Sequence, residues 1–177
     1  LGHKAMSCST NTVGMTIPMA IEAGLGQLGR NGLLITRNFG PAVRISKVLT
    51  SLPLIPDNPV DFGVTELCRT CKICSDKCPS KAILPGARVT EARNASNAPG
   101  VLKWPIDAER CMGQWSRIRK PCTLCISVCP FNKPSNRFHS MVKMFVDRFR
   151  WGDPFYVKMD KVMGYGKTAD PKEFWDK

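Results

Sequence analysis

The clearest periodic pattern in the chain is an apolar stripe between positions 136 and 150. Apolar side chains recur there at intervals of three and four residues, the spacing of one face of an α-helix. The residues of the stripe are Phe138, Met141, Val142, Phe145, Val146 and Phe149. The pattern predicts an amphipathic helix that packs its apolar face into the core. Two glycine-containing runs beyond it predict an extended tail over the domain, namely Gly152-Asp153-Pro154 and Gly164-Tyr165-Gly166.

The pattern is weaker in the first third of the chain. Residues 17–23 predict a short helix, because Pro18 is tolerated in a first helical turn and Gly24 suits a helix end. Residues 42–49 alternate only roughly, but their composition favours a strand. The residues that favour it are Val43, Ile45, Val48 and Leu49. We therefore expect both helix and strand before the middle of the chain.

Composition divides the chain into three parts. Three prolines between positions 53 and 59 indicate a linker, and the polar stretch 88–100 indicates a surface loop. The predicted boundaries place one unit at 1–62, a second at 63–135, and the amphipathic helix with its tail at 136–177. The second unit contains eight of the nine cysteines.

These eight cysteines form two groups with related spacing. Cys68, Cys71, Cys74 and Cys78 precede Pro79 in a C-x2-C-x2-C-x3-C-P run, the bacterial ferredoxin pattern. The second group has the same last three cysteines and proline, but ten residues separate its first cysteine from the rest. Its members are Cys111, Cys122, Cys125 and Cys129, followed by Pro130. The spacing predicts two [4Fe-4S] clusters.

The predicted ligation is crossed between the two groups. In two-cluster ferredoxins the fourth cysteine of each run ligates the other cluster. One cluster is therefore expected on Cys68, Cys71, Cys74 and Cys129, and the other on Cys111, Cys122, Cys125 and Cys78. This pairing brings the two clusters close together. Zinc sites favour two C-x2-C pairs, and disulfides do not require such even spacing, so both alternatives fit less well. Cys8 lies outside both groups and is interpreted as a buried or incidental thiol.

A glycine-rich segment, Gly24 to Gly29, matches G-x-G-x-x-G. A dinucleotide site would need a preceding strand, a following helix and an acidic residue about twenty positions on. Here a predicted helix precedes the segment, and no Asp or Glu occurs between Glu22 and Asp57. Two interpretations remain open: close approach of backbone to a large flat or anionic ligand, or a tight turn between two elements.

Composition and charge narrow the function further. The chain has 177 residues, 43% of them hydrophobic, and a formal net charge of +12. No apolar run approaches the roughly 18 residues that span a bilayer. Since the basic residues are spread out and rarely alternate with aromatics, an acidic electron donor is a better candidate partner than nucleic acid. The chain begins at Leu1, and we interpret it as a fragment or processed product.

The ordered set of motifs resembles the C-terminal half of a reductive dehalogenase. The resemblance rests on the run 24–54, GLGQLGRNGLLITRNFGPAVRISKVLTSLPL, followed by the ferredoxin pattern. It also rests on the approach Ser9-Thr10-Asn11 with Ile17-Pro18-Met19-Ala20-Ile21, on Cys-Pro-Phe-Asn-Lys-Pro at 129–134, on Met163-Gly164-Tyr165-Gly166 and on Phe174-Trp175-Asp176. It implies an α+β fold. The C-terminal part of a nitroreductase-like corrinoid-binding domain would precede a bacterial 2[4Fe-4S] ferredoxin-like domain and a helical tail.

The resemblance also implies a corrinoid enzyme that removes halide from an organohalide, with electrons delivered through the clusters. The corrinoid would be of the cobalamin or norpseudo type, base-off and without a His lower ligand. The residues expected beside it are Gly26, Gly29, Arg30, Asn31 and Gly32. Asn11 and Arg44 are the candidate substrate-side residues, with Arg37 as the alternative to Arg44, and the proton-donor Tyr is expected upstream of Leu1. His139 is expected to be a packing or cofactor-edge residue.

The same resemblance implies a small organohalide substrate, a low-potential electron donor and a small membrane-anchor subunit. It implies an exported enzyme on the outer face of the cytoplasmic membrane, with a cytoplasmic location as the alternative. Two other functions remain open. An epoxyqueuosine reductase-like enzyme shares the corrinoid and two-cluster plan, and a dicluster ferredoxin-type carrier would explain the cysteines alone.

Overall fold

A computed structural model describes residues 2–9, 13–133 and 136–165. It is an α+β structure with short strands and predominantly short helices. In chain order the elements are β1 (Ala5–Cys8), α1 (Thr16–Glu22), β2 (Gln27–Leu28), β3 (Leu34–Ile35), β4 (Lys47–Thr50), α2 (Val64–Thr70), α3 (Ile73–Asp76), α4 (Ala108–Ile118), α5 (Leu124–Ser127), α6 (Arg137–Arg148), a 3-10 turn (Arg150–Gly152) and α7 (Asp153–Val162).

The strands form two separate antiparallel pairs. β1 pairs with β4, with Ala5 opposite Thr50 and Cys8 opposite Lys47. The strand predicted over 42–49 was wrong in extent, because residues 42–46 are not in a strand. A strand needs a neighbour to pair with, and within the described residues the ladder with β1 starts at Lys47, which lies opposite Cys8. Cys8 is buried, as the interpretation of a buried thiol expected.

The glycine-rich segment forms the approach to a tight hairpin. It follows α1, predicted over 17–23, and leads into β2, which pairs with β3. A Cβ at Gly26 would lie 2.2 Å from the carbonyl oxygen of Ile35, so only glycine allows this approach. Of the two interpretations left open by the sequence, the hairpin geometry matches the tight turn.

One apolar core joins all three predicted units. Ile35 and Phe62 come from the first unit, and the rings of Phe62 and Phe131 meet edge-on with centroids 6.1 Å apart. The other members of this core are Val64, Leu67, Cys71, Ile73, Val128, Cys129, Val146 and Val157. Each fully buried aliphatic or aromatic side chain stabilises the fold by about 1.5–3 kcal/mol. The first motif and the C-terminal helices are therefore held together by a continuous apolar contact.

Helix α6 is present as predicted, but its predicted apolar face is only partly in the core. Asn136 caps it by accepting a hydrogen bond from the His139 backbone N–H at 2.8 Å. Val146 is buried, whereas Phe138, Met141, Phe145 and Phe149 are 36–45% exposed. The helix faces the core about one residue further round than predicted, because buried His139 occupies the position expected of Phe138.

The prediction of an extended tail was wrong for residues 153–162, which form α7. Pro154 lies in the first turn of this helix, where its missing N–H costs no intrahelical hydrogen bond. Gly152-Asp153-Pro154 is thus a helix start, and Val157 is buried in the core. The run from Gly166, including Phe174-Trp175-Asp176, lies outside the described residues. Within the described part of the chain, no helix is both long enough and apolar enough to span a membrane.

Candidate functional site

Four cysteines line a cavity of about 330 Å³ beneath the apolar core. They are Cys68 in α2, Cys71 just after it, Cys74 in α3 and Cys129 just after α5. Three therefore come from the first motif and one from the second. We call this space cavity I. Its remaining lining residues are Arg30, Asn31, Ile35, Leu67, Pro130 and Phe131.

The other four cysteines line a second cavity of about 430 Å³, which we call cavity II. Its cysteines are Cys78, Cys111, Cys122 and Cys125. Helix α4 carries Cys111 and ends at Arg119, which adopts the left-handed conformation with φ 53°. The ten residues between Cys111 and Cys122 are thus the rest of this helix and the turn that brings the chain back. The two cavities group the cysteines in the crossed sets predicted from the motif.

The arrangement of the thiols differs from a site for one metal ion. In the described ranges, no three Cys, His, Asp or Glu side chains converge closely enough to hold a single ion. The cysteines instead surround two spaces, four to each. This donor set fits a polynuclear cluster ligated from its periphery better than a tetrahedral zinc ion.

Burial dominates the acid–base properties of these thiols. It raises the pKa of Cys68 to about 12 and that of Cys125 to about 11, and it also raises the pKa of Cys74 and Cys129. Burial acts in the same direction at Cys78, but hydrogen bonds from the Ser80 side chain and nearby backbone N–H groups lower its pKa overall. Neighbouring thiolates would repel one another. Cationic iron is therefore the natural partner for thiolates in these cavities.

Arg30 and Asn31 link the glycine-rich segment to the cysteine loops. Arg30 is 2% exposed. Its Nε donates to the Cys68 carbonyl at 2.9 Å, and its Nη1 donates to the carbonyls of Leu84 at 2.8 Å and Gly86 at 2.9 Å. Asn31 Nδ2 donates to the Cys125 carbonyl at 3.3 Å, and Asn31 lines both cavities.

The five residues expected beside a corrinoid thus make their contacts within the protein. Cβ atoms at Gly26, Gly29 and Gly32 would meet Ile35, Asn31 and Ile106 at 2.8 Å or less. Arg30 and Asn31 direct their side chains towards the cysteine loops. Arg30 and Asn31 are thus engaged within the protein, and the expectation that the five residues lie beside a corrinoid stays a prediction.

Of the candidate substrate-side residues that the structure describes, neither Arg44 nor Arg37 lines cavity I or cavity II. Asn11 lies outside the described residues. Arg44 is exposed and makes no hydrogen bond or ion pair with any described residue. Arg37 instead forms an ion pair with Asp147 at 2.7 Å and lies over the Phe62 ring. Among the described residues, Arg37 therefore has an acidic partner and Arg44 has none.

A third cavity, of about 560 Å³, was not predicted. It shares Leu67, Pro130 and Phe131 with the lining of cavity I. Lys133 lines it, with its side chain 7% exposed and paired to Asp160 at 3.0 Å. His139 also lines it, and its Nε2 is buried without a hydrogen-bond partner. The sequence signals for this cavity were Lys133 in the run after Cys129 and His139 in the amphipathic helix, whereas the long-range pair of Lys133 with Asp160 has no local pattern.

Comparison with known proteins defines the class first. Residues 67–132 match the family model of the 4Fe-4S double cluster binding domain. This match covers the two motifs and all eight cysteines that line the cavities. The chain therefore contains a domain for two [4Fe-4S] clusters.

Comparison over the full chain then identifies the family. The chain is 46% identical over 176 residues to a tetrachloroethene reductive dehalogenase of Sulfurospirillum multivorans, covering 99% of this chain and 35% of that protein. It matches a solved reductive dehalogenase, described in connection with B12-dependent dehalogenation, with a TM-score of 0.78 and 28% identity, over 94% of this chain and 24% of the other. The chain belongs to the reductive dehalogenase family. It spans about a third of the length of the curated relatives it matches.

The comparison also concerns the first alternative function, that of an epoxyqueuosine reductase-like enzyme. The chain is 34% identical over 129 residues to an epoxyqueuosine reductase of Lactococcus garvieae, covering 70% of this chain and 34% of that protein. Both the identity and the share of this chain that is covered are lower than for the tetrachloroethene reductive dehalogenases. A double-cluster carrier without further function is less well supported, because the dehalogenase match extends far beyond residues 67–132.

Proposed function

We propose that the full-length protein is the catalytic subunit of a reductive dehalogenase, an oxidoreductase that removes halide from a small organohalide. The observation that carries this proposal is the pair of four-cysteine cavities within a chain that is 46% identical to a tetrachloroethene reductive dehalogenase over 99% of its length. The substrate and activity belong to the whole protein, of which this chain is a part.

The proposed cluster ligands follow the two cavities. The first cluster takes Cys68, Cys71, Cys74 and Cys129, and the second takes Cys78, Cys111, Cys122 and Cys125. Bound clusters would supply one-electron carriers of low potential. The chain's own contribution is to position the thiols and exclude water. Ile73 and Val128 are buried in the core that includes Cys71 and Cys129, and Ile83 is buried beside Cys78.

A corrinoid is the second proposed cofactor, and residues 1–62 would be the C-terminal part of its nitroreductase-like domain. Support comes from the B12-dependent dehalogenation associated with a solved relative. A corrinoid would supply the cobalt at which the carbon–halogen bond is cleaved. A base-off corrinoid without a His lower ligand is proposed on the family resemblance, and His139, whose Nδ1 lies 2.8 Å from Asn136 Oδ1, is proposed as a packing or cofactor-edge residue.

Arg44 is the proposed cation for the departing halide, and Asn11 the proposed amide at the substrate. The support for Arg44 is that it forms no ion pair with the described residues, in contrast to Arg37, which pairs with Asp147. A positive group near the substrate would stabilise negative charge that develops on the halogen. The proton-donor Tyr is proposed to lie in the part of the protein outside this chain.

The partners and the location are proposed on the family resemblance. The partners would be a low-potential electron donor and a small membrane-anchor subunit. The enzyme would be membrane-associated on the outer face of the cytoplasmic membrane. The basic composition of the chain is compatible with an acidic donor.

The test uses the full-length protein purified without oxygen. We expect iron and sulfide for two cubane clusters, corrinoid absorption bands, and chloride release from tetrachloroethene with a low-potential reductant. Clusters without corrinoid and without halide release would instead indicate an electron carrier. Conversion of epoxyqueuosine in a tRNA stem-loop, without halide release, would indicate the epoxyqueuosine reductase alternative.

A further inference from the structure

A buried positive charge faces cavity I without a carboxylate partner. Arg30 is 2% exposed and lines the cavity with its four cysteines. No ion pair joins Arg30 to an Asp or Glu in the part of the chain that the structure describes. A buried guanidinium is costly unless an anion balances it. The proposed cluster in cavity I, held by four thiolates, would supply that anion.

The surroundings of Arg30 position its charge without neutralising it. Its Nε and Nη1 donate to three backbone carbonyls, which are dipoles and carry no net charge. The guanidinium lies 4.7 Å from the ring centroid of buried Trp104, an arrangement that favours a cation. The side chain therefore has one well-defined position beside the Cys68 loop, and its full positive charge remains.

Cavity II has no equivalent cation. Its lining consists of cysteines, apolar side chains, Ser80, Gln114 and Asn31, without Lys or Arg. Two of the four cysteines that line cavity I, Cys71 and Cys129, are buried, whereas of the four that line cavity II one, Cys78, is buried. The two sites therefore differ both in burial and in fixed charge.

We propose that Arg30 is a positioning residue that sets the reduction potential of the cluster in cavity I. This inference rests on the ligand assignment proposed above. One-electron reduction of a cluster with four thiolates makes its net charge more negative, from about −2 to about −3. Deep burial disfavours the added negative charge and lowers the reduction potential of the cluster. A fixed cation nearby stabilises the added charge and raises the reduction potential. Arg30 thus offsets the effect of burial on the reduction potential. The cluster in cavity I can then exchange electrons with the cluster in cavity II.

Substitution of Arg30 in the full-length holoprotein tests this role. We compare Arg30→Gln, Arg30→Lys and, as a matched control, Arg88→Gln. Arg88 lies 5.6 Å from the centroid of the same Trp104 ring, but it is half-buried and solvent screens its charge. The midpoint potential of each cluster is measured by anaerobic titration with titanium(III) citrate, followed by electron paramagnetic resonance. Cys68→Ser and Cys111→Ser, which alter the spectrum of the cluster they ligate, assign the signals.

Arg30→Gln should lower the potential of the Cys68 cluster alone. The expected change is at least tenfold in the ratio of reduced to oxidised cluster at a fixed potential, or about 59 mV for one electron. Arg30→Lys keeps the charge and should retain most of the native potential, and Arg88→Gln should move neither cluster. Unchanged potentials in an Arg30→Gln protein with full iron content, or equal shifts of both clusters, would overturn the proposal.

If the Arg30→Gln variant loses iron, the Arg30→Lys variant decides the test. A cluster potential in Arg30→Lys close to the native value supports a role for the charge. A fall of tenfold or more in the ratio of reduced to oxidised cluster shows that only the hydrogen bonds of the guanidinium matter, and this result overturns the proposal. Failure of the ligand assignment has a different signature. In that case Cys68→Ser and Cys111→Ser fail to affect separate signals, whatever the Arg30 variants do.

Discussion

The side-chain amide of Asn31 donates a hydrogen bond to the backbone carbonyl of Cys125 across 94 positions of sequence, with 3.3 Å between the two atoms. The Asn31 Oδ1 accepts from the Leu33 N–H, so the same side chain also stabilises the hairpin turn. Asn31 lines both cavities. It therefore lies between the two proposed clusters and joins the glycine-rich segment to the second cysteine motif.

Replacement of Asn31 by Ala should destabilise the protein. The change leaves the Cys125 carbonyl and the Leu33 N–H without their partner, and an unsatisfied buried polar group costs about 1–3 kcal/mol. The free energy of unfolding can be measured by anaerobic denaturant titration of the full-length protein. Asn58→Ala, at an exposed position, is the matched control and should stay within about 0.5 kcal/mol of the wild type. Equal effects of the two variants would contradict the role of Asn31.

Gly32 should tolerate no side chain. Its φ is +72°, and a Cβ would lie 2.7 Å from Ile106 Cγ1. The left-handed conformation costs a residue with a Cβ about 1–2 kcal/mol, and the contact adds to that. Gly32→Ala should therefore lower the melting temperature, and Ile106→Ala in the same protein should restore the part that comes from the contact.

Gly113→Ala is the control for that experiment, because it should raise the stability that Gly32→Ala lowers. It lies within α4 with open space around it, so Ala should stabilise the helix by about 0.5–1 kcal/mol. A fall in melting temperature for Gly113→Ala as large as that for Gly32→Ala would show that any added methyl group is harmful. The specific argument from φ and Ile106 would then fail.

The crossed ligation predicts which cysteine substitutions act on the same cluster. Cys129→Ser should alter the same electron paramagnetic resonance signal as Cys68→Ser, although Cys129 belongs to the second motif, because both thiols line cavity I. Cys78→Ser should correspondingly alter the signal that Cys111→Ser alters. Cys8→Ser, at a buried cysteine outside both cavities, is the control and should leave the iron content unchanged. If cysteines of the same motif, and not those of the same cavity, alter the same signal, the crossed ligand assignment is wrong.

Arg44→Met should reduce turnover by about 10²–10³-fold if its charge stabilises the departing halide. Chloride release and cluster absorbance are measured on the same anaerobic preparation, and the absorbance should not change. Arg37→Met removes an exposed ion pair with Asp147, which contributes about 0–1 kcal/mol to stability, and should leave turnover near the native rate. Full activity in Arg44→Met would remove this residue from the proposed mechanism.

The buried Asp153 should give the stability a distinct pH dependence. Burial raises its pKa from 3.8 to about 6, Glu66 adds to the rise, and Arg150 opposes it. Between these values the folded protein binds more protons at Asp153 than the unfolded chain, so stability falls as the pH rises towards about 6. Asp153→Asn should flatten this part of the profile, measured by thermal unfolding from about pH 5 to about pH 7. Asp57→Asn, at an exposed carboxylate, should retain the native slope.

Local patterns predicted several elements of the fold well. Pro18 and Gly24 bracket a helix observed at Thr16–Glu22, and the apolar stripe predicts a helix observed at Arg137–Arg148. The errors occurred where a distant partner decided the outcome. Among the described residues, the strand that pairs with β1 starts at Lys47 and does not include the strand-forming Val43, and α6 faces the core through His139 instead of Phe138.

The sequence by itself predicted two sets of four cysteines, because ligand spacing on a short loop is a local property of the chain, and it predicted their crossing from the general rule for two-cluster ferredoxins. For residues 24–29 it left two interpretations open, close approach of backbone to a ligand or a tight turn. The tertiary structure decided what Arg30 and Asn31 do, since their partners lie 38 to 94 positions away. Buried polar groups must find hydrogen-bond partners, and only the packing of the hairpin against the cysteine loops determines which carbonyls are within reach.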